Sequence, residues 1–276
     1  MTDGARVEDH YASAGIAERI LGALWSANGL DSAVTPDALA PLDHFHGRGI
    51  QATRELVAVL GPQADEEILD IGSGIGGPAR WIAATFGCRV TGVDLTPEFC
   101  AAARELNRAT AMEDRVRILE GNALALPLPD DTFDRAYSQN VVMNIADKRG
   151  FYAEALRVVK PGAVVALSNL MAGPNGLPHF PVPWASTAAT SFLSTEEETR
   201  ADIAAAGFEI LSFRDTAFET VPKQTAFRRK LESEGMPPLG MQVLMGERMR
   251  ELTINSIRSL EEGRAIPVEI LLRKPA

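Results

Sequence analysis

The sequence predicts an α/β fold in which a mainly parallel sheet is doubly wound by helices. Two observations carry that expectation. From Glu67 onward, short apolar runs of strand length alternate with longer stretches of helical periodicity, the pattern of successive right-handed βαβ units. The first of those strands runs straight into a glycine-rich turn, Gly72-Ser73-Gly74-Ile75-Gly76-Gly77, followed by a helix. At 276 residues and 46% hydrophobic content, the chain can bury a full core without disulfides or metal staples.

The elements follow in order. From Arg6 to Ala27 apolar residues recur every three or four positions, which predicts a helix that Gly15 can interrupt. Residues 28–41 read as a loop. A second helix over Ile50–Leu60 stops at Gly61-Pro62. Strands are expected at Glu67–Ile71, Arg89–Val93, Val116–Glu120, Phe133–Ser138 and Ala163–Ser168, with helices at 76–86, 97–110 and 147–158 between them. A proline-rich stretch, Gly173–Pro183, leads to a helix over 195–206 ended by Gly207 and a strand over Phe208–Arg214. A helical region over 224–261 then precedes a last strand, Val268–Leu272. Seven strands result. The expected division is an N-terminal helical cap (1–64), a core (65–214), a helical lid inserted between the last two strands (215–263) and the final core strand (264–276).

Charge and cysteine content narrow the function. With 27 basic and 37 acidic side chains the net charge is −10, which offers no electrostatic footprint for nucleic acid. Cys88 and Cys100 cannot form a disulfide framework, and no metal-ligand spacing is present, so no metal is expected. The first ten residues are polar where a signal peptide would be apolar, and no apolar run is long enough to span a bilayer. The expectation is a cytoplasmic protein that uses neither membrane nor nucleic acid. Its oligomeric state is not legible.

The glycine turn carries the chemistry. Gly72, Gly74 and Gly77 match the G-x-G-x-x-G spacing of a dinucleotide fold, and Asp94, ending the next strand, stands where a carboxylate grips a ribose diol. Asp70, two residues ahead of Gly72, places a second carboxylate at the strand end, where it suits an ammonium better than a pyrophosphate. Glu120-Gly121-Asn122-Ala123 follows the third strand, offering a side-chain amide and a backbone N–H to the edge of a base. An NAD(P)-dependent oxidoreductase is the first rival. Its short-chain dehydrogenase form is excluded, because the residues four after Tyr11, Tyr137 and Tyr152 are Gly15, Val141 and Leu156 rather than Lys. A non-catalytic nucleoside-binding protein of the same fold is the second.

With these stations in register over 66–214, and with Leu156-Arg157-Val158-Val159-Lys160-Pro161-Gly162 before the fifth strand, the sequence resembles the class I S-adenosylmethionine-dependent methyltransferases. The resemblance implies a Rossmann-like seven-stranded sheet whose last strand is antiparallel, and S-adenosylmethionine as cofactor, leaving S-adenosylhomocysteine. It implies that Gly72 and Gly74 underlie the methionine moiety, with Asp70 nearby. Asp94 takes the ribose hydroxyls and Leu95 packs on adenine. Asn122, where many members carry Asp, and the Ala123 N–H read the base. Tyr11 resembles an N-terminal tyrosine that folds over the cofactor, although a core position on its helix accounts for it equally well.

Tyr137–Lys148 is most similar to the branch acting on small molecules, which includes sarcosine and dimethylglycine N-methyltransferases and sugar or tocopherol methyltransferases. Gln139 in that stretch joins the expected cofactor set, and Met143 and Asn144 the acceptor set. The histidine that many members carry near Met143 or Asn144 is absent. If a base is needed, His46 is the first candidate and His44 the second, because imidazole titrates near neutrality. His179, Phe180 and Trp184 in the proline-rich crossing complete the expected acceptor wall. Met236, Met241, Met245 and Met249 read as lid core or as an adaptable apolar surface. The expected function is methyl transfer to a small N or O acceptor, driven mainly by positioning.

Overall fold

The computed structural model describes residues 15–29, 32–44 and 48–276. Three helices come first: α1 (Ile16–Asn28), α2 (Pro36–Asp43) and α3 (Ile50–Leu60). The sheet and its crossovers follow as β1 (Glu67–Ile71), α4 (Gly77–Phe86), β2 (Arg89–Asp94), α5 (Pro97–Ala109), β3 (Val116–Glu120), β4 (Phe133–Gln139), α6 (Lys148–Val158), β5 (Val159–Ala172), α7 (Glu196–Ala206) and β6 (Glu209–Asp215). Helices α8 (Ala217–Glu234), α9 (Gln242–Met245) and α10 (Met249–Glu261) precede β7 (Ala265–Arg273).

The strand order is β3-β2-β1-β4-β5-β7-β6, and β7 is antiparallel to both of its neighbours. The expected seven-stranded, doubly wound architecture is therefore the observed one. Ile68, Leu69 and Ile71 of β1 are almost fully buried, as central parallel strands covered on both faces must be. On one face Phe151, Tyr152 and Ile203 of α6 and α7 pack on Leu69 and Val165. On the other, Leu56, Leu60, Ile82 and Ala83 of α3 and α4 pack on Ile68 and Ala166. Each large aliphatic side chain so buried contributes about 1.5–3 kcal/mol relative to exposure. The C-terminal ends of β1, β2 and β4 open at the point where the chain reverses direction across the sheet, and the helices before β1 and after β6 lie over them.

Three local readings change. Residues 36–43 form helix α2, not a loop: Thr35 caps it by accepting a hydrogen bond from Ala38 N at 3.1 Å, and Pro36 occupies the first turn, where its missing N–H costs nothing. The region 224–261 is not one continuous helix but three, which start at Ala217 and break at Gly235 and Gly246, both with positive φ. Strand β5 runs well beyond 163–168, from Val159 to Ala172, because β7 pairs with it from Val164 to Ala172. Only residues 16–28 of the first expected helix are described. Among the described residues no helix is long and apolar enough to cross a membrane.

Candidate functional site

A cavity of about 810 Å³ opens over the strand ends, between the sheet and the helices before β1 and after β6. Its floor is the β1–α4 turn. Gly72 N and Ser73 N donate to Val93 O at 2.8 and 3.1 Å, clamping the turn onto β2. Gly72 holds φ +81°, and a Cβ there would stand 2.2 Å from Val141 Cγ2, so no other residue fits without moving β4's exit. Gly74 holds φ +53°, and a Cβ there would meet nothing within 4 Å, so the space above it is open to a ligand.

Asp94 stands beside this turn. Its Oδ2 accepts from Gly74 N at 2.7 Å and its Oδ1 from Thr96 N at 3.0 Å. Burial holds its pKa above the ordinary carboxylate value in spite of those bonds. Leu95 and Thr96 continue the cavity wall, as do Asn122, Ala123 and Leu124 after β3. Asn122 Oδ1 accepts from Leu124 N at 2.9 Å, which fixes the amide while leaving its second lone pair available. Gln139 Oε1 accepts from Thr53 Oγ1 at 3.2 Å, and its buried Nε2 has no partner among the described residues. That orphaned donor points to a ligand acceptor.

Asp70 is placed differently from the sequence expectation. It is buried and is not among the cavity-lining residues; its carboxylate accepts a hydrogen bond from Tyr137 Oη at 2.8 Å. Burial first, and the Asp94 charge second, push its pKa up to about 7 against the downward pull of the Tyr137 bond. In the ligand-free protein Asp70 therefore keeps a proton that the unfolded chain has lost. Its contribution to stability is complete below the unfolded value of 3.8 and is lost as pH rises to about 7. Asp70→Asn is expected to flatten that decline, measured by urea unfolding of the ligand-free protein between pH 4 and 8. A slope identical to that of the unsubstituted chain would refute it.

Met143, Asn144 and Trp184, expected to meet the acceptor, line the cavity. Trp184 is fixed by donating from Nε1 to Ser191 Oγ at 3.0 Å. The turn carrying Met143 is held by Lys148, which the sequence did not flag: its buried ammonium donates to the carbonyls of Val142, Ile145 and Phe192. Burial lowers its pKa to about 8. The four methionines of the lid all face the cavity, together with Phe227, also missed.

Four expectations do not land on the cavity as foreseen. His179 turns outward, with Nε2 2.8 Å from Glu262 Oε2, because its backbone N–H is tied to Ser259 Oγ of α10 at 2.9 Å. Phe180 does not line the cavity but packs behind the wall against the Met143, Val182 and Trp184 cluster. His44 reaches the cavity edge, but its side chain has no accessible surface; its Nδ1 lies 2.9 Å from Asp43 Oδ1. A buried imidazole engaged in that way is poorly placed to take a proton from a bound molecule. Asp70 is the fourth. His46 and Tyr11 lie outside the described residues.

Residues 69–167 match the family model described as "Methyltransferase domain". Over that stretch the chain is similar to a methyltransferase domain. The chain is 30% identical over 165 residues to methyltransferase GfsG of Streptomyces halstedii, covering 60% of this chain and 58% of that protein, less than two thirds of its length. It is 29% identical over 221 residues to erythromycin 3″-O-methyltransferase of Saccharopolyspora erythraea, covering 75% and 71%. In architecture it is similar to geranyl diphosphate C-methyltransferase of Streptomyces coelicolor A3(2), solved with Mg²⁺, a geranyl thiolodiphosphate and S-adenosylhomocysteine. That likeness has a TM-score of 0.70 at 19% identity and covers 99% and 98% of the two chains, which shows the fold.

The residues present fit S-adenosylmethionine. An open glycine cradle, a buried carboxylate with raised pKa beside it and a neutral amide after β3 suit a cationic adenosine derivative. Among the described residues no cluster of three His, Cys, Asp or Glu is arranged to hold a metal ion.

Proposed function

We propose that this methyltransferase transfers a methyl group from S-adenosylmethionine to an O or N nucleophile on a bulky, largely apolar small molecule. The observation that carries the acceptor class is the lid-side wall of the cavity, made by Trp184, Phe227, Met236, Met241, Met245 and Met249. Such a wall suits an apolar skeleton and adapts to its shape. It is less suited to a small charged amino acid: the two lysine and arginine side chains at its edge, Arg48 and Lys223, both face Glu55, and the Lys223 Nζ stands 3.8 Å from it.

S-adenosylmethionine supplies an electrophilic methyl on a sulfonium, which a nucleophile displaces in line. The chain's own contribution is placement. Gly72, Gly74, Asp94, Leu95, Asn122, Ala123 and Gln139 are proposed to hold the cofactor, and Met143, Asn144 and Trp184 the acceptor opposite it. Asn169, absent from the sequence reading, joins this set: its buried Oδ1 lines the cavity without a partner among the described residues and can accept from an acceptor hydroxyl or amine. Helices α2, α3 and α8–α10, which contribute residues to the cavity wall, are proposed to exclude water from between the reactants, and holding the reactants in line with water excluded supplies most of the barrier lowering. His46 is retained as a proposed base where the nucleophile must lose a proton.

The test pairs labelled S-adenosylmethionine with a panel of polycyclic alcohols, phenols and amines on one side and tRNA, DNA and protein on the other. Label is expected in the small-molecule fraction only. Trp184→Ala is expected to raise KM for a methylated acceptor roughly tenfold, the loss of about 1.4 kcal/mol of apolar contact, with S-adenosylhomocysteine affinity unchanged. Label confined to macromolecules would overturn the reading.

A further inference from the structure

Arg80, on the first turns of α4, has no accessible surface although it carries a charge. Its guanidinium is forked. Nη1 donates to Asn107 Oδ1 at 2.9 Å and Ala103 O at 3.3 Å, both on α5, while Nη2 donates to Ile75 O at 2.7 Å and to Asp43 Oδ2 at 3.0 Å. Asp43 is the last residue of α2, in the helices that precede the sheet, and it too is buried. A second contact presses the same residue onto the cofactor turn: a Cβ on Gly77 would lie 2.1 Å from Asp43 O.

Packing alone does not call for these charges. Leu39, Leu42, Ile75, Phe99 and Leu106 already form an apolar cluster around them, and a buried ion pair is often no more stabilising than apolar residues of the same volume. Arg80 Nε, moreover, is buried with no partner among the described residues. What a planar fork supplies is direction. Ile75 lies between Gly74 and Gly76, so anchoring its carbonyl restrains the turn whose Gly74 N–H meets Asp94. The anchor is itself held by α2 through Asp43. His44 Nδ1 completes the set at the other carboxylate oxygen, 2.9 Å away.

We propose that Arg80 and Asp43 form a positioning pair that couples docking of α2 to the shape of the glycine turn, and thereby to binding of the amino-acid end of the cofactor. The inference rests on reading that turn as the cofactor's methionine cradle. Linkage makes the coupling reciprocal: if docked α2 shapes the turn, a ligand filling the turn stabilises docked α2 by the same factor. The adenosine end is read by Asp94, Leu95 and Asn122; only Asp94 touches the turn, through Gly74 N, and it is held separately by Thr96 N, so loss of the pair falls mainly on the amino-acid end.

Two probes separate the ends. S-adenosylhomocysteine carries the amino-acid tail, and 5′-methylthioadenosine lacks it. In Asp43→Asn, calorimetric affinity for S-adenosylhomocysteine is expected to fall at least tenfold, with affinity for 5′-methylthioadenosine changed less than twofold. Arg80→Lys, which keeps the charge and loses the fork, is expected to show the same selectivity and serves where Asp43→Asn does not fold. In the unsubstituted chain S-adenosylhomocysteine is expected to slow hydrogen exchange over 16–28 and 36–43, and in either variant that protection should disappear. Equal losses for both probes, or no loss for either, would overturn the proposal, since a merely structural pair lowers stability without discriminating between ligands. Asp94→Asn is the control: it weakens both probes if the site reading holds, and unchanged binding there would refute that reading instead.

Discussion

Gly72→Ala is expected to reduce S-adenosylhomocysteine affinity about tenfold or more, measured by calorimetry on folded protein. The added Cβ would stand 2.2, 2.9 and 3.1 Å from three atoms of Val141, and the turn cannot retreat because Gly72 N and Ser73 N are both clamped to Val93 O. Val141 must therefore move, carrying with it Asn144, whose N–H is bonded to its carbonyl at 2.9 Å. Overpacking of this kind costs about 1–3 kcal/mol, and an L-residue in the left-handed region adds about 1–2 kcal/mol. The sum is shared between stability and affinity. Adding Val141→Ala to the same chain removes the two closest clashes and is expected to restore part of the lost affinity, the signature of a direct contact in a double-mutant cycle. Affinity within threefold of the unsubstituted chain in Gly72→Ala would refute the cradle.

Asp94→Ala is expected to weaken S-adenosylhomocysteine binding at least tenfold, since a hydrogen bond to a charged group is worth about 1.5–3 kcal/mol. The substitution also strips the acceptor from the Gly74 and Thr96 N–H groups, so the turn loses a fixed point even before ligand arrives. Binding to the unsubstituted chain is expected at micromolar concentrations, with no heat from NAD or NADP. Unchanged affinity in the variant would remove the ribose assignment.

Much of the fold was legible because its signals are local. The alternation of strand and helix from Glu67 onward, the strand that ends in glycines, and the carboxylate closing the next strand each depend on residues within one βαβ unit. Helix α2 carries its own start signal in Thr35-Pro36, but a segment with prolines at 36 and 41 fits a loop as well as a short helix. The breaks at Gly235 and Gly246 were likewise present as glycines, but a glycine inside a helical pattern does not by itself say whether the helix ends or continues.

The sequence by itself determined the α/β class, the glycine turn and the position of Asp94, because these follow from spacing along a short piece of chain. Only the tertiary structure decided what the polar side chains do. Arg80 meets Asp43 across 37 positions and Gln139 meets Thr53 across 86, while Asp70, read from sequence as a partner for an ammonium, lies against Tyr137, 67 residues away. His179 was drawn out of the acceptor wall by Ser259 and Glu262, residues 80 and 83 positions later. A side chain's identity states how many hydrogen bonds it must make once buried, but not with whom. Partners are chosen by the packing of apolar faces, which brings distant segments together and leaves each buried polar group to bond with whatever that packing has placed within reach.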